Sequence, residues 1–450
     1  MDNKKIIKML FDKGKKAGFE EMEVYIHNKK GLSIKVFKGD VDTFENSVEE
    51  GLSFRGLYNN KMGYSYTEKL DESCIDMLIE EAMENAKIID NDDVDIIFEG
   101  SKEYKNVITY NRDSEKISTE QKIDYLIQLE KEIFKKDNRV VAMPYNILEE
   151  TTNSTIISNT KGLNLEYKSN RVETYAFIDV KEDGDVKAAY RYKVADDLKK
   201  IDGKSIATEI VDEAISMLGA TQIKSGKYPI ILRADVSAQI LRAFAPIFSA
   251  DNVHKDLSLL KGKIGEKIAN PAITIVDDPF MKGGAYTKPF DAEGVASKYK
   301  KLVSNGILKT YFHNLKTATK DGVESTGNAY KAAYNSIIDI APTNMYIEIG
   351  KKSLDELIGS VEEGLLIIDV QGLHSGLNTI SGDFSVSAYG YEIKQGKIAR
   401  PVNQITISGN YIEMMKNIED IGNDLEFVMP SRGYVGSPSL KISSLSVAGE

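Results

Sequence analysis

Glu23-Val24-Tyr25-Ile26, Leu32-Ser33-Ile34-Lys35-Val36, Gly51-Leu52-Ser53-Phe54 and Gly63-Tyr64-Ser65-Tyr66 follow one another between Glu21 and Tyr66, punctuated by glycine. Short apolar runs broken by polar residues suit an antiparallel meander, because successive side chains of a strand point to opposite faces. Tight turns are predicted at Lys30-Gly31 and Lys38-Gly39. The apolar face of such strands needs a cover. Met1 to Lys16 supplies one, an amphipathic helix with Ile6, Ile7, Leu10 and Phe11 on its stripe.

The same reading extends downstream. Leu70 to Ile89 is predicted as a helix, with Cys74 at apolar spacing among Leu70, Ile75, Leu78 and Ala82. Ser118 to Phe134 is another, opened by the capping-box pair Ser118 and Gln121. Val140 to Val194 is strand-rich. Within it Asn159-Thr160-Lys161-Gly162-Leu163 echoes Asn28-Lys29-Lys30-Gly31-Leu32, either as an internal repeat or as two hairpins sharing a turn chemistry. Ser205 to Leu218 carries Ile206, Ile210, Val211 and Ala214 at helical period and stops at Gly219.

The composition changes near Ala220. Pro229-Ile230-Ile231-Leu232 is predicted as a buried strand with its proline at the start, and Asp235 as the cap of a helix running towards Ala245. Ala272 to Val276, Leu365 to Val370 and Gln404 to Ile407 are further strands, separated by short helices at Ser353 to Gly359 and Tyr411 to Ile421. Strands come in groups with helices between groups. That pattern predicts an α+β chain of two domains, an N-terminal meander with helices over residues 1–220 and a strand-rich domain with few helices over 221–450.

Charge and composition bound the function. Against 58 Lys and Arg stand 69 Asp and Glu, a net charge of −11 that disfavours direct nucleic-acid binding. One cysteine and four histidines, His27, His254, His313 and His374, exclude a disulfide framework and a Cys-rich zinc module. No stretch approaches the length of a membrane span, so a cytoplasmic protein is expected. The usual catalytic signatures are missing. Acids such as Asp277, Asp278, Asp291, Glu293 and Asp383 could gather a hard cation or simply hold turns.

The second half also contains polar glycine-rich strings: Gly283-Gly284-Ala285-Tyr286, Pro289 to Gly294, Ser325 to Ala329, Leu373-His374-Ser375-Gly376-Leu377-Asn378 and Ser381-Gly382-Asp383-Phe384-Ser385. They read either as binding loops on a rigid scaffold or as tight connections. With the run from Gly262 to Pro279, Leu308 to Asn314, Gly422 to Phe427 and Ser437-Pro438-Ser439-Leu440, they resemble, in order, the motifs of the TldD/PmbA family, also described as modulators of DNA gyrase.

The resemblance implies a cytoplasmic two-domain protein related to zinc peptidases that act on unfolded peptides. In the TldD branch a His-Glu-x-x-x-His helix and a cysteine near the C-terminus hold the metal. The corresponding helix here, Val236 to Ala250, contains neither His nor Glu, and the segment after Gly422-Asn423-Asp424 has no Cys. That departure is similar to the PmbA, or TldE, branch and implies a subunit without metal or catalytic residues of its own, the zinc residing in a TldD-like paralogue. Peptide or partner contacts are expected from His374, Asn378, Asp383 and Ser385, each of which could equally stabilise its own turn. The alternative is a homodimeric regulatory binding protein without peptidase activity.

Overall fold

The computed structural model describes residues 3–89 and 95–450 and is α+β. Its N-terminal half is built from α1 (Asn3–Ala17), β1 (Met22–Phe37), β2 (Asp40–Tyr58), β3 (Lys61–Thr67) and α2 (Ile75–Ile88), followed by α3 (Thr119–Lys136), β4 (Val140–Asn159), β5 (Asn164–Glu182), β6 (Asp185–Ala195) and α4 (Gly203–Ser216). The six strands form one sheet in the order β3-β2-β1-β4-β5-β6. The unit helix, three antiparallel strands, helix thus occurs twice. The two copies join through the antiparallel β1–β4 ladder, whose middle pair is Lys29 and Asn153.

This repeat is not the one suggested by the echoed pentapeptides. Asn159 to Leu163 forms the connection from β4 to β5, whereas Asn28 to Leu32 lies inside β1. Lys30-Gly31 is therefore no turn. Gly31 pairs with Ser47 on one side and Thr151 on the other. Polar residues recur there because one face of the sheet is not apolar. Lys38-Gly39 does turn, with φ of 54° and 80°, as a two-residue hairpin requires.

All four helices lie on the other face. Alternate residues Val24, Ile26, Leu52 and Phe54 meet Ile6 and Leu10 of α1 and Ile75 and Leu78 of α2. Ile34, Val36, Val172 and Ile178 meet Leu126 and Ile133 of α3 and Ile210 and Val211 of α4. Cys74 is buried at the start of α2, and its thiol bonds to the Asp71 carbonyl. The capping boxes at Ser118–Gln121 and Ser353–Glu356 are both formed.

The C-terminal strands are β7 (Gly226–Leu232), β8 (Ile275–Asp277), β9 (Lys300–Ser304), β10 (Ile307–Leu308), β11 (Ala329–Tyr330), β12 (Asp339–Ile340), β13 (Asn344–Ile347), β14 (Glu363–Gln371), β15 (Asp383–Lys394), β16 (Lys397–Asn410), β17 (Ile418–Ile421), β18 (Glu426–Phe427), β19 (Tyr434–Ser437) and β20 (Leu440–Ala448). The order β16-β15-β14-β7-β20 closes on itself through β16–β20, with β17 attached to β20. A second sheet runs β10-β9-β8-β13-β19-β18. Between them lies α5 (Ala234–Phe244), whose Val236, Ile240, Leu241 and Phe244 share one core with Ile230, Leu232 and Ile367 of the barrel and Met345 and Val435 of the open sheet.

Three local expectations are corrected. Asp235 does not cap α5; it sits in the first turn, paired with Arg233 at 2.7 Å. The helix at Tyr411 ends at Lys416, because Ile418–Ile421 is drawn into the sheet against β20. Pro229 lies inside β7 rather than at its start, opposite a register irregularity of β20 where no ladder N–H is required. Among the described residues no helix is long and apolar enough to cross a bilayer.

Candidate functional site between the two halves

The helix-free face of the N-terminal sheet is polar and aromatic. Tyr25, His27 and Lys29 of β1 recur at every second position, as do Thr151, Asn153 and Thr155 of β4 and Tyr167, Ser169 and Arg171 of β5, so each set points to one side of its strand. Together they floor a cavity of about 260 Å³, walled from the C-terminal half by Tyr286, Lys288, Phe290, Asp291 and residues 329–332. Three of the glycine-rich strings, at 283–286, 289–294 and 325–329, converge here. Lys29 and Asn153, the centre of the duplicated sheet, lie in its floor.

Lys331 divides this cavity from a second of about 320 Å³. Its Nζ donates to Ser53 Oγ at 2.7 Å, Tyr64 Oη at 3.1 Å and the Tyr334 carbonyl at 2.9 Å. It also lies 4.5 Å above the Tyr25 ring. Burial, reinforced by the nearby Arg55 cation and opposed by Glu23, brings the ammonium down to about 7. Arg55 is itself paired with Glu23, Nη2 to Oε1 at 2.7 Å. Across the second cavity Glu293 is buried beside Asp291, and burial together with that like charge raises its carboxyl to about 8.

The other acids hold structure. Asp291 accepts from the backbone N–H groups of Glu293, Val295 and Ala329 at 2.9–3.0 Å. Asp277, fully buried, accepts from Thr343 N and Oγ1 and from Asn328 Nδ2, and pairs with Lys300 at 2.9 Å. These carboxylates are committed to turns and to one ion pair, and do not converge on a cation.

Further along, the groove passes α5. The side of that helix left partly exposed carries Asp235, Gln239 and Arg242, spaced by about one and two turns. They line a cavity of about 500 Å³ together with Tyr175, Tyr190 and Tyr192 of the N-terminal sheet and Phe427 and Met429 of the C-terminal half. Arg242 Nη1 donates to the Met429 carbonyl at 3.3 Å. Glu213 of α4 lies between Arg191 and Arg233, its carboxylate held low by Arg233 and Arg191 against the cost of burial. Edge strands β6 and β18 face one another across this cavity, and Lys193 lies 3.7 Å from Glu426. The residues on α5 do not fit a zinc ion. Gln239 is a weak ligand, Arg242 is a cation, and Asp235 is already bound by Arg233. Among the described residues no three His, Cys, Asp or Glu side chains are placed to hold a metal ion.

The comparisons with known proteins bear on the whole chain. Residues 22–86 match PmbA/TldA metallopeptidase domain 1, residues 112–218 its central domain and residues 225–449 its C-terminal domain. The chain belongs to the PmbA/TldD family. A PmbA metalloprotease homologue of Buchnera aphidicola is 28% identical over 437 residues, covering 95% of this chain and 93% of the relative. An uncharacterised protein of Methanocaldococcus jannaschii is 31% identical over 98% of each chain. A solved structure from Thermotoga maritima, described as a proposed modulator of a DNA gyrase, superposes with a TM-score of 0.91 at 34% identity over 99% of this chain and all of that one. TldE of Thermococcus kodakarensis shares the fold, with a TM-score of 0.90 at 23% identity over 99% of this chain and all of its own.

The family motifs separate into two places. His374, Asn378, Asp383 and Ser385 are exposed and cluster at the connection from β14 to β15. Asn378 Oδ1 accepts from Ile380 N and Ser381 N, and Asp383 accepts from Asn410 Nδ2 at 3.0 Å. None of the four lines the cavities between the halves. Lys288, Lys331, Arg171 and the tyrosines of the sheet do, and the sequence reading passed over them. A signal was present in Tyr25-x-His27-x-Lys29 and Tyr167-x-Ser169-x-Arg171, where a tyrosine is followed by polar residues at every second position of a strand.

Proposed function

We propose that this chain is a PmbA/TldE-like subunit of a cytoplasmic TldD/TldE-type zinc metallopeptidase acting on unfolded peptides, contributing peptide binding and assembly while a TldD-like paralogue supplies the metal. The observation that supports this reading is the pair of edge strands, β6 and β18, facing each other over α5. An extended peptide inserted there would complete their free backbone groups, with little dependence on its sequence. Tyr175, Tyr190, Tyr192 and Phe427 offer it apolar surface of the same indifferent kind. On this reading zinc-bound water and its general base belong to the paralogue, because α5 presents Gln239 and Arg242 where ligands would be needed. The exposed loop carrying His374, Asn378, Asp383 and Ser385 is assigned to the surface that meets the partner or the emerging peptide.

The test is reconstitution. The purified chain alone should carry no stoichiometric zinc and leave a denatured peptide intact, and addition of a paralogue with a His-Glu-x-x-x-His helix should produce cleavage. One tightly bound zinc per chain would sink the assignment. A chain that stays homodimeric in the presence of that paralogue would favour a regulatory binding protein instead.

A further inference from the structure

We propose that the 260 Å³ cavity over the middle of the N-terminal sheet captures a carboxylate, with Lys288 as its principal partner. Lys288 is 8% exposed, yet among the described residues its ammonium has no hydrogen-bond or ion-pair partner. An unpaired buried ammonium is strongly unfavourable, so a protein that keeps one normally supplies an anion. The nearby acids Asp291 and Asp277 favour the charge of Lys288 through space but make no direct contact with it. Asp291 spends its oxygens on three backbone N–H groups, and Asp277 on Lys300, Thr343 and Asn328.

The rest of the wall has the same sign. Lys29, Arg171 and Lys331 line the cavity with Lys288, against the single carboxylate of Asp291, and Arg171 is neutralised by Glu173 outside it. His27 adds a buried Nδ1 with no partner. Between the cations stand Tyr167, Tyr286 and Phe290, which suit an anion attached to an organic body rather than a bare ion. Burial lowers the Lys288 ammonium, and an incoming carboxylate would act in the opposite direction and favour its charged form.

The source of the carboxylate rests on the reading of this chain as a peptide-binding subunit. The cavity shares Ser431 with its neighbour, which in turn shares Arg242 with the cavity at β18, so one extended chain can run through all three. Its C-terminal carboxylate and an Asp or Glu side chain are the two candidates, chemically the same group.

The experiment uses the full chain and two probes of one shape, N-acetyl-tyrosine and N-acetyl-tyrosinamide, followed by titration calorimetry. The acid is expected to bind at least tenfold more tightly than the amide. Lys288→Met, which removes a buried charge at nearly constant volume, should fold as well as the parent and lose that preference. Lys29→Gln, an exposed change on the same wall, should weaken acid binding several-fold and gives a second reading should the first variant misfold. Equal binding of acid and amide, or discrimination that survives in Lys288→Met, overturns the proposal. Unstructured peptides ending in a free acid, in an amide, or in an amide with an internal Glu then tell terminus from side chain. If the small acid binds and none of these peptides does, the anion site stands and the peptide-binding reading falls.

Discussion

Lys331 Nζ lies 2.7 Å from Ser53 Oγ, so an ammonium of the C-terminal half is held by a hydroxyl of the N-terminal sheet. With Tyr64 and the Tyr334 carbonyl, this contact makes the partition between two cavities a direct link between the halves.

The partition should respond to pH. Lys331 titrates near 7 in the fold against about 10.5 in the open chain, so the unfolded state holds the extra proton between those values. Its charge penalty is complete below pH 7 and is relieved as pH rises towards 10. Lys331→Met removes the penalty together with three hydrogen bonds. Thermal melts should therefore show the variant comparing better with the parent at pH 6 than at pH 9, and an identical difference at both would contradict the assignment.

Glu293 gives the mirror case. Its carboxyl is raised to about 8, so the folded chain holds the extra proton from roughly pH 4.5 to 8 and stability declines across that window. Glu293→Gln keeps an acceptor for the Leu315 N–H and loses the charge. Chemical denaturation should show a gain of roughly 2 to 4 kcal/mol at pH 9 and little change at pH 5.

Glu213 is a bridge between cations from different halves, Arg191 on β6 and Arg233 following β7. Removing it leaves two guanidiniums half-buried beside each other. Glu213→Ala should cost about 3 to 5 kcal/mol, and the loss should persist in moderate salt because the pair is screened little. A melting temperature within a degree of the parent would refute this role.

Gly51 faces the Tyr334 ring so closely that a Cβ there would stand 2.3–2.4 Å from three ring carbons. Gly51→Ala should displace the ring and the carbonyl that holds Lys331, at about 1 to 3 kcal/mol. Urea titration measures the cost, and a shift in the pH response of Lys331 would accompany it.

Much of the secondary structure was legible because it rests on local rules. Ser118 and Gln121 capped their helix, and Val24, Ile26, Ile34 and Val36 marked one strand face. The helix from Tyr411 overran because Ile418 and Ile421 stand at helical spacing, and pairing with Ile442 and Leu440 draws them into a strand across a register irregularity instead. The turn at Lys30-Gly31 failed because both residues lie inside β1, where Gly31 pairs with Ser47 and Thr151 and the neighbouring Lys29 faces the groove rather than a core. The groove itself was not readable, because Lys331 meets Tyr25 and Ser53, and Lys288 shares a cavity with Tyr25, only after two distant segments dock. The glycine-rich strings pointed to both places at once, and nothing local distinguished those that line the groove from those that turn at the barrel's end.

The closure of the barrel through β16 and β20 carries a consequence of another kind. A closed ring offers no row of unpaired amides to a neighbouring molecule, and so cannot seed sheet-on-sheet aggregation. Of the four edges of the two open sheets, β6 and β18 are turned towards each other across the groove, while β3 and β10 lie at the opposite ends of their sheets. The same geometry that would welcome one extended strand thereby shields these two edges from a second folded copy, so receptivity and protection of β6 and β18 come from one arrangement.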